Sequence, residues 1–219
     1  RAAKTWFSLR VEARCSRKFF EGAIGRFHNR PTRTAFGRKA HLSMDTLSAL
    51  QSYLDRNPAE IDVVERFTRF LLSGIDVFHR TRLDGHFTAS CWLVSPDRAS
   101  VLLTHHRKLG RWLQLGGHAD GDSNLARVAF NEATEESGIK GLMVLPEIFD
   151  LDAHTIPART NEPEHTHWDV RFVVLARSLK FHVSDESHAL AWRPIGELAH
   201  SSDESIKRMA RKWQAQTGI

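Results

Sequence analysis

From Gly117 to Ile139 the chain reads GHADGDSNLARVAFNEATEESGI, a glycine loop running into a helix-forming segment with three glutamates near its end. At about 100° per residue, with Leu125 at zero, Val128 falls at roughly 300°, Ala129 at roughly 40°, Glu132 at roughly 340°, Glu135 at roughly 280° and Glu136 at roughly 20°. All three carboxylates therefore extend the apolar stripe, while Arg127, Asn131 and Thr134 take the opposite side. One acidic helix end is ordinarily solvated. Three carboxylates turned toward a protein wall repel one another and drift toward protonation unless a cation or basic partners neutralise them. A hard cation bound through oxygen meets that need. Ahead of the helix, Gly116 and Gly117 allow a tight turn and a close approach of backbone to ligand, and a helix start offers N–H groups to an anion. Phosphate at the helix start and metal at its end make a diphosphate site, in which the metal offsets phosphate charge and lowers the pKa of an attacking water.

These residues resemble the Nudix box, the signature of the Nudix hydrolases: Gly, five residues, Glu, seven residues, then Arg-Glu-aliphatic-x-Glu-Glu-x-Gly-aliphatic. Gly117 matches the opening glycine, Glu132 the Glu after the arginine, Ala133 weakly the aliphatic, Glu135 and Glu136 the pair, Gly138 the closing glycine and Ile139 the last aliphatic. Two positions depart: Ser123 stands where the first Glu is expected, although Asp120 and Asp122 lie in the same loop, and Asn131 replaces the arginine that orients the carboxylates. The approach segment WLQLGGH, Trp112 to His118, is similar to the strand that enters the box. The resemblance implies an α/β/α sandwich with a mixed sheet. It also implies hydrolysis of a pyrophosphate bond in a nucleoside diphosphate derivative or related organic diphosphate. Mg²⁺ or Mn²⁺ would be held by Glu132, Glu135 and Glu136, one of which, or a nearby glutamate, serves as base. The two departures favour an alternative, a catalytically weakened module that binds or senses a nucleotide. Gly116-Gly117-His118 is reminiscent of the Nudix-fold isopentenyl diphosphate isomerases, where Cys-Gly-His supplies a catalytic thiol and a metal-binding histidine. With Gly116 in place of the cysteine, that chemistry lacks its acid. His118 is then a ligand, a phosphate contact or a loop-packing residue.

A second constellation follows: Asp152, His154, Arg159, Glu162, Glu164, His165, His167, Asp169 and Arg171. His165, His167, Asp169 and Arg171 share a parity, so an extended strand points all four to one face. Any one of these histidines alone is a solvated strand residue. Taken together near the box they predict a substrate or second-metal wall, with Arg159 and Arg171 suited to phosphate oxygens. Lys108 and Arg111, before the box strand, are weaker candidates of the same kind.

Composition bounds the rest. At 219 residues and 41% hydrophobic, the chain can bury one sizeable core. Its longest apolar runs are strand-sized, so no membrane span is expected. Two distant cysteines, Cys15 and Cys91, suit a reducing compartment, and the cytoplasm is the expected location. The net charge of +5 is unevenly placed, because residues 1–43 hold eleven Lys and Arg against Glu12 and Glu21, a balance of +9 that leaves the remainder at −4. Basicity thus belongs to a leader, read as disordered or foreign to the native protein ahead of a transit peptide or a basic arm, with Met44 as the expected start. No nucleic-acid binding is expected from Met44 onward. The expected partner is a small-molecule diphosphate, with a homodimer as the protein assembly allowed.

Three segments follow from the patterns: the leader 1–43, a helical segment 44–80 and a catalytic domain 81–219. Helices are predicted over Asp45–Leu54, Ala59–Leu72, Asn124–Glu136 and Asp203–Gln216. Strands are predicted over His86–Val94, Ser100–His106, Trp112–Leu115, Leu142–Asp150, Trp168–Ala176 and Ala189–Trp192.

Overall fold

A computed structural model describes residues 35–74, 76–107, 110–160, 162–183 and 187–218. Most of the basic leader, residues 1–34, and Lys108 lie outside the described residues. The chain divides into two compact units, the second beginning at Asp76.

In the first unit, helix α1 (Ala35–Arg56) leads through a 3₁₀ turn (Pro58–Glu60) into helix α2 (Ile61–Leu71). Its helix is continuous through Met44. The two helices contact each other. Val64, Phe67, Phe70 and Leu71 recur at helical spacing on α2 and are buried, as are Leu47, Leu50, Tyr53 and Leu54 on α1, which is the packing an amphipathic pair requires. Pro58 opens the turn, at a position where its missing N–H costs nothing.

The second unit is built on seven strands: β1 (Gly85–Val94), β2 (Ser100–His106), β3 (Arg111–Leu113), β4 (Leu115–His118), β5 (Met143–Ile156), β6 (His165–Leu175) and β7 (Ser187–Pro194). The main path runs β3-β2-β1-β6-β5, with β4 paired to β1 and β7 paired to β2. Among the described residues only β1 and β6 run parallel; the other pairs are antiparallel. The sheet is therefore mixed. Strand β1 changes partner along one edge: Leu93 and Val94 face β2, while Thr88 to Cys91 face β4. That divergence sets the glycine strand β4 beside β1.

Helix α3 (Leu125–Ser137) packs on β1, β4, β5 and β6. On the other face, helix α5 (Glu204–Thr217) and the one-turn helix α4 (Ile195–Leu198) cover Trp92, Val94, Val101, Leu103, Phe149 and Val173 with Ile206, Met209, Ala210 and Trp213. Helix, sheet and helix make the α/β/α sandwich expected. Val77 and Phe78 are buried and accept hydrogen bonds from the Phe87 and Gly121 amides, which tie the turn at 76–80 to β1 and to the glycine loop. Two strands extend beyond their predicted limits. β5 continues past Asp150 to Ile156, and β6 begins at His165 rather than Trp168. The β6 extension, His165–His167, is wholly polar, and the β5 extension interleaves Leu151, Ala153 and Ile156 with Asp152, His154 and Thr155; cross-strand pairing from Asp150↔Arg171 to Ile156↔His165 holds them.

Candidate functional site

The box helix is fixed at both ends. Asn124 caps it by accepting from the Arg127 amide at 3.0 Å, and Gly138 closes it at φ 65°, a left-handed conformation suited to glycine. Its buried residues are Leu125, Val128, Ala129, Ala133, Glu136 and Ser137. The stripe is thus centred at roughly 30° on the helical wheel, so Glu136 and Glu132 fall within it and Glu135 falls just outside. Accordingly Glu136 is buried, Glu132 is half-buried and Glu135 is exposed. The expectation of three carboxylates on the inward face is corrected to two.

Both inward carboxylates meet the glycine strand. Glu136 Oε1 accepts a hydrogen bond from the Gly116 amide at 2.8 Å. A Cβ on Gly117 would lie 2.2 Å from Glu132 Oε1, and one on Gly116 would lie 2.3 Å from Ser90 Cβ. Gly116 therefore excludes any side chain, and a side chain at Gly117 would push the Glu132 carboxylate aside. Two oxygen donors beside bare backbone fit a hard divalent cation. The two aspartates that could replace the missing loop glutamate are engaged elsewhere. Asp122 holds Arg127 at 2.7 and 2.8 Å, and Asp120 holds Arg80, with Nε at 2.6 Å.

The second constellation occupies the sheet face opposite α3. Parallel register sets His86 beside His167, Thr88 beside Asp169 and Ser90 beside Arg171. Antiparallel register adds His154 beside His167, Asp152 beside Asp169 and Asp150 beside Arg171. The shared parity of His165, His167, Asp169 and Arg171 is realised, but half of this face is core. Arg171 is 2% exposed. Its Nε donates to Asp169 at 2.8 Å, Nη1 to Asp150 at 3.2 Å and Ser205 at 2.7 Å, and Nη2 to Asp152 at 2.8 Å. Arg208 and Lys212 of α5 both reach Asp150 at 2.8 Å. Three cations meet three carboxylates. Asp169 also accepts from Ser90 at 2.7 Å and Thr88 at 3.1 Å. Despite desolvation, which pushes it up, Asp150 is held below its ordinary range by its bond to Arg208 and the charges of Arg171 and Lys212. Arg171 is thus corrected from a phosphate ligand to the hub of a buried ion network. Every nitrogen of its guanidinium has a partner.

The histidines lie beyond that network on the same face. His86 is 1% exposed; His165 is buried, and His118 and His167 are half-buried. Ring centroids lie 5.0 Å apart for His86 and His118, 4.9 Å for His86 and His167, and 5.0 Å for His118 and His167. Desolvation holds all three rings toward the neutral form, taking His118 to about 4 and His167 to about 2. Arg80, Asp120 and Glu162 act electrostatically on His118, and Glu132 acts on Arg80, so this end of the sheet shares its field with the box. Arg159 is exposed in the β5–β6 loop, where its backbone bridges Glu162, and Glu164 is exposed beside it. Arg111 is engaged with Asp203, the N-cap of α5. His86 and Arg80 were not anticipated as site residues. His86 does alternate with Phe87 in sequence, but only the parallel register brings it to His167.

Solved Nudix hydrolases are among the structures similar to this chain. A hydrolase of the NUDIX family from Clostridium perfringens is 21% identical, with 60% of this chain and 97% of that chain covered and a TM-score of 0.48. The MutT protein from Methanosarcina mazei Go1 is 13% identical over 61% and 95% of the two chains, with a TM-score of 0.47. The C. elegans Ap4A hydrolase, in a binary complex, is 16% identical over 61% and 98%, with a TM-score of 0.44. No protein-family model and no curated protein matches the chain.

Proposed function

We propose that this chain is a metal-dependent hydrolase that cleaves a pyrophosphate bond in a nucleoside diphosphate derivative or related organic diphosphate. The observation that carries the reading is the application of two carboxylates, Glu132 and Glu136, to the backbone of Gly116 and Gly117. That is where a diphosphate following the glycine strand would arrive. Glu132 and Glu136 would hold Mg²⁺ or Mn²⁺, which supplies charge neutralisation and an acidified water. Glu135, exposed at the same end of the helix, is the remaining candidate for a third ligand or the base. The glycines keep side chains out of the ligand's path. Arg159 and Arg80 are exposed cations at the same end of the sheet, suited to terminal phosphate oxygens. No helix of the described residues is long and apolar enough to cross a membrane.

Phosphate release from a panel of organic diphosphates with Mg²⁺ tests this. Glu136→Gln keeps a hydrogen-bond acceptor for Gly116 but loses the charge, and should lower kcat/KM about 100-fold, the rate equivalent of a few kcal/mol of transition-state stabilisation. Gly117→Ala, by displacing Glu132, should cost a comparable factor. If wild type and both variants turn over every diphosphate equally, or none turns over any, the enzyme reading is lost; tight nucleotide binding without turnover would leave the sensing module in its place.

A further inference from the structure

Three imidazoles from three strands converge: His86 from β1, His118 from β4 and His167 from β6. One ring nitrogen of each lies within 4.8 Å of the others. Packed as plain core, this cluster would be costly. His86 Nε2 is buried with no hydrogen-bond partner among the described residues, and an orphaned buried polar atom costs about 1–3 kcal/mol. Something is expected to satisfy it.

The rings are also poised by their neighbours. His86 Nδ1 lies 3.4 Å from the Arg82 carbonyl, which places the ring proton on Nδ1 and leaves Nε2 with its lone pair. The Pro163 carbonyl, 2.9 Å from His165 Nδ1, fixes the His165 proton there, so His165 Nε2 accepts. The contact of 3.2 Å between His165 Nε2 and His167 Nε2 then takes its proton from His167, leaving the His167 lone pair on Nδ1. A carbonyl behind His86 and a second ring behind His167 are the kind of partner that orients metal-binding histidines.

We propose that His86, His118 and His167 form a site for a divalent first-row transition ion of the zinc class, separate from the oxygen site of the box. Nitrogen donors favour Zn²⁺, Co²⁺, Ni²⁺ or Fe²⁺ over Mg²⁺. Nitrogen ligands of one tetrahedral ion stand about 3.4 Å apart, so the rings close by modest χ rotations to reach it. Burial keeps them neutral in the neutral pH range, with lone pairs ready. Three protein ligands leave a fourth position, as in sites that admit water or substrate. The carboxylates of Asp120 and Glu162, which act on His118, offset the ion's charge.

Full-length protein stripped with chelator and titrated with Co²⁺ should take up about one equivalent and develop the visible absorption of a four-coordinate nitrogen-rich site. Zn²⁺ should displace the cobalt, and millimolar Mg²⁺ should not. His118→Gln and His167→Gln should each weaken Co²⁺ binding about 100-fold or more, with far-ultraviolet circular dichroism confirming the fold. Glu136→Gln should leave the cobalt spectrum unchanged, which separates this site from the hydrolase reading. Absence of uptake by the stripped wild type, unaltered binding in both histidine variants, or loss of the spectrum in Glu136→Gln would each overturn the assignment.

Discussion

Two ends of one sheet face carry polar side chains of similar pattern and opposite status. At the α5 end, Arg171, Arg208 and Lys212 meet Asp150, Asp152 and Asp169, and each guanidinium nitrogen of Arg171 is bonded. At the other end, His86 keeps an orphaned nitrogen among neutral rings. The difference teaches how to read a polar strand face. A closed, charge-balanced network is structure; an open cluster with an unmet donor or acceptor is a place for a ligand.

The largest effect should come from breaking the closed end. Arg171→Met removes the hub and leaves buried Asp169 with the hydroxyls of Ser90 and Thr88 but without its cation, a loss expected to be about 3–5 kcal/mol, read as a drop in urea midpoint. A stability close to wild type would erase the distinction between the two ends.

An intermediate effect is expected from pH, and it separates the ends by window. In chelator-treated protein, folded His118 and His167 titrate at about 4 and about 2, against about 6.5 in the unfolded chain. Below about 6.5 the unfolded state binds protons that the folded state refuses, so stability falls from there toward 4. In the network, Asp150 and Asp152 have lowered folded values. For Asp152 desolvation pushes upward, but its bond to His154 and the charges of Arg171 and Arg208 prevail. Their contribution is therefore complete above about 3.9 and is lost only as pH falls further. Denaturation curves across pH 7 to 3 should show two limbs. A single limb below pH 4 would count against buried neutral histidines.

The smallest effect belongs to the open end. His118→Gln in metal-free protein should cost about 1 kcal/mol or less, because a half-buried polar ring with no network to break is replaced by another polar group. A loss as large as that of Arg171→Met would mean that the histidines form a closed structural cluster after all.

Much of this was legible from local pattern. The helical wheel placed Glu132 and Glu136 inward, and the parity of residues 165 to 171 put their side chains on one face; the strand and helix order followed from alternation and caps. Glu135 was misjudged because it sits at the edge of the stripe, where a few degrees decide burial. The polar start of β6 lies outside the expected strand because His165, Thr166 and His167 give no apolar alternation, and the end of β5 does so because its apolar residues are interleaved with Asp152, His154 and Thr155.

Helix phase and strand parity are properties of consecutive residues, so the sequence by itself determined the box helix and the common face of His165, His167, Asp169 and Arg171. Neighbours far apart in the chain are set by strand register and by the helix laid over the sheet. Only tertiary structure could therefore seal Arg171 beneath α5 and bring His86, His118 and His167 from three strands to one point.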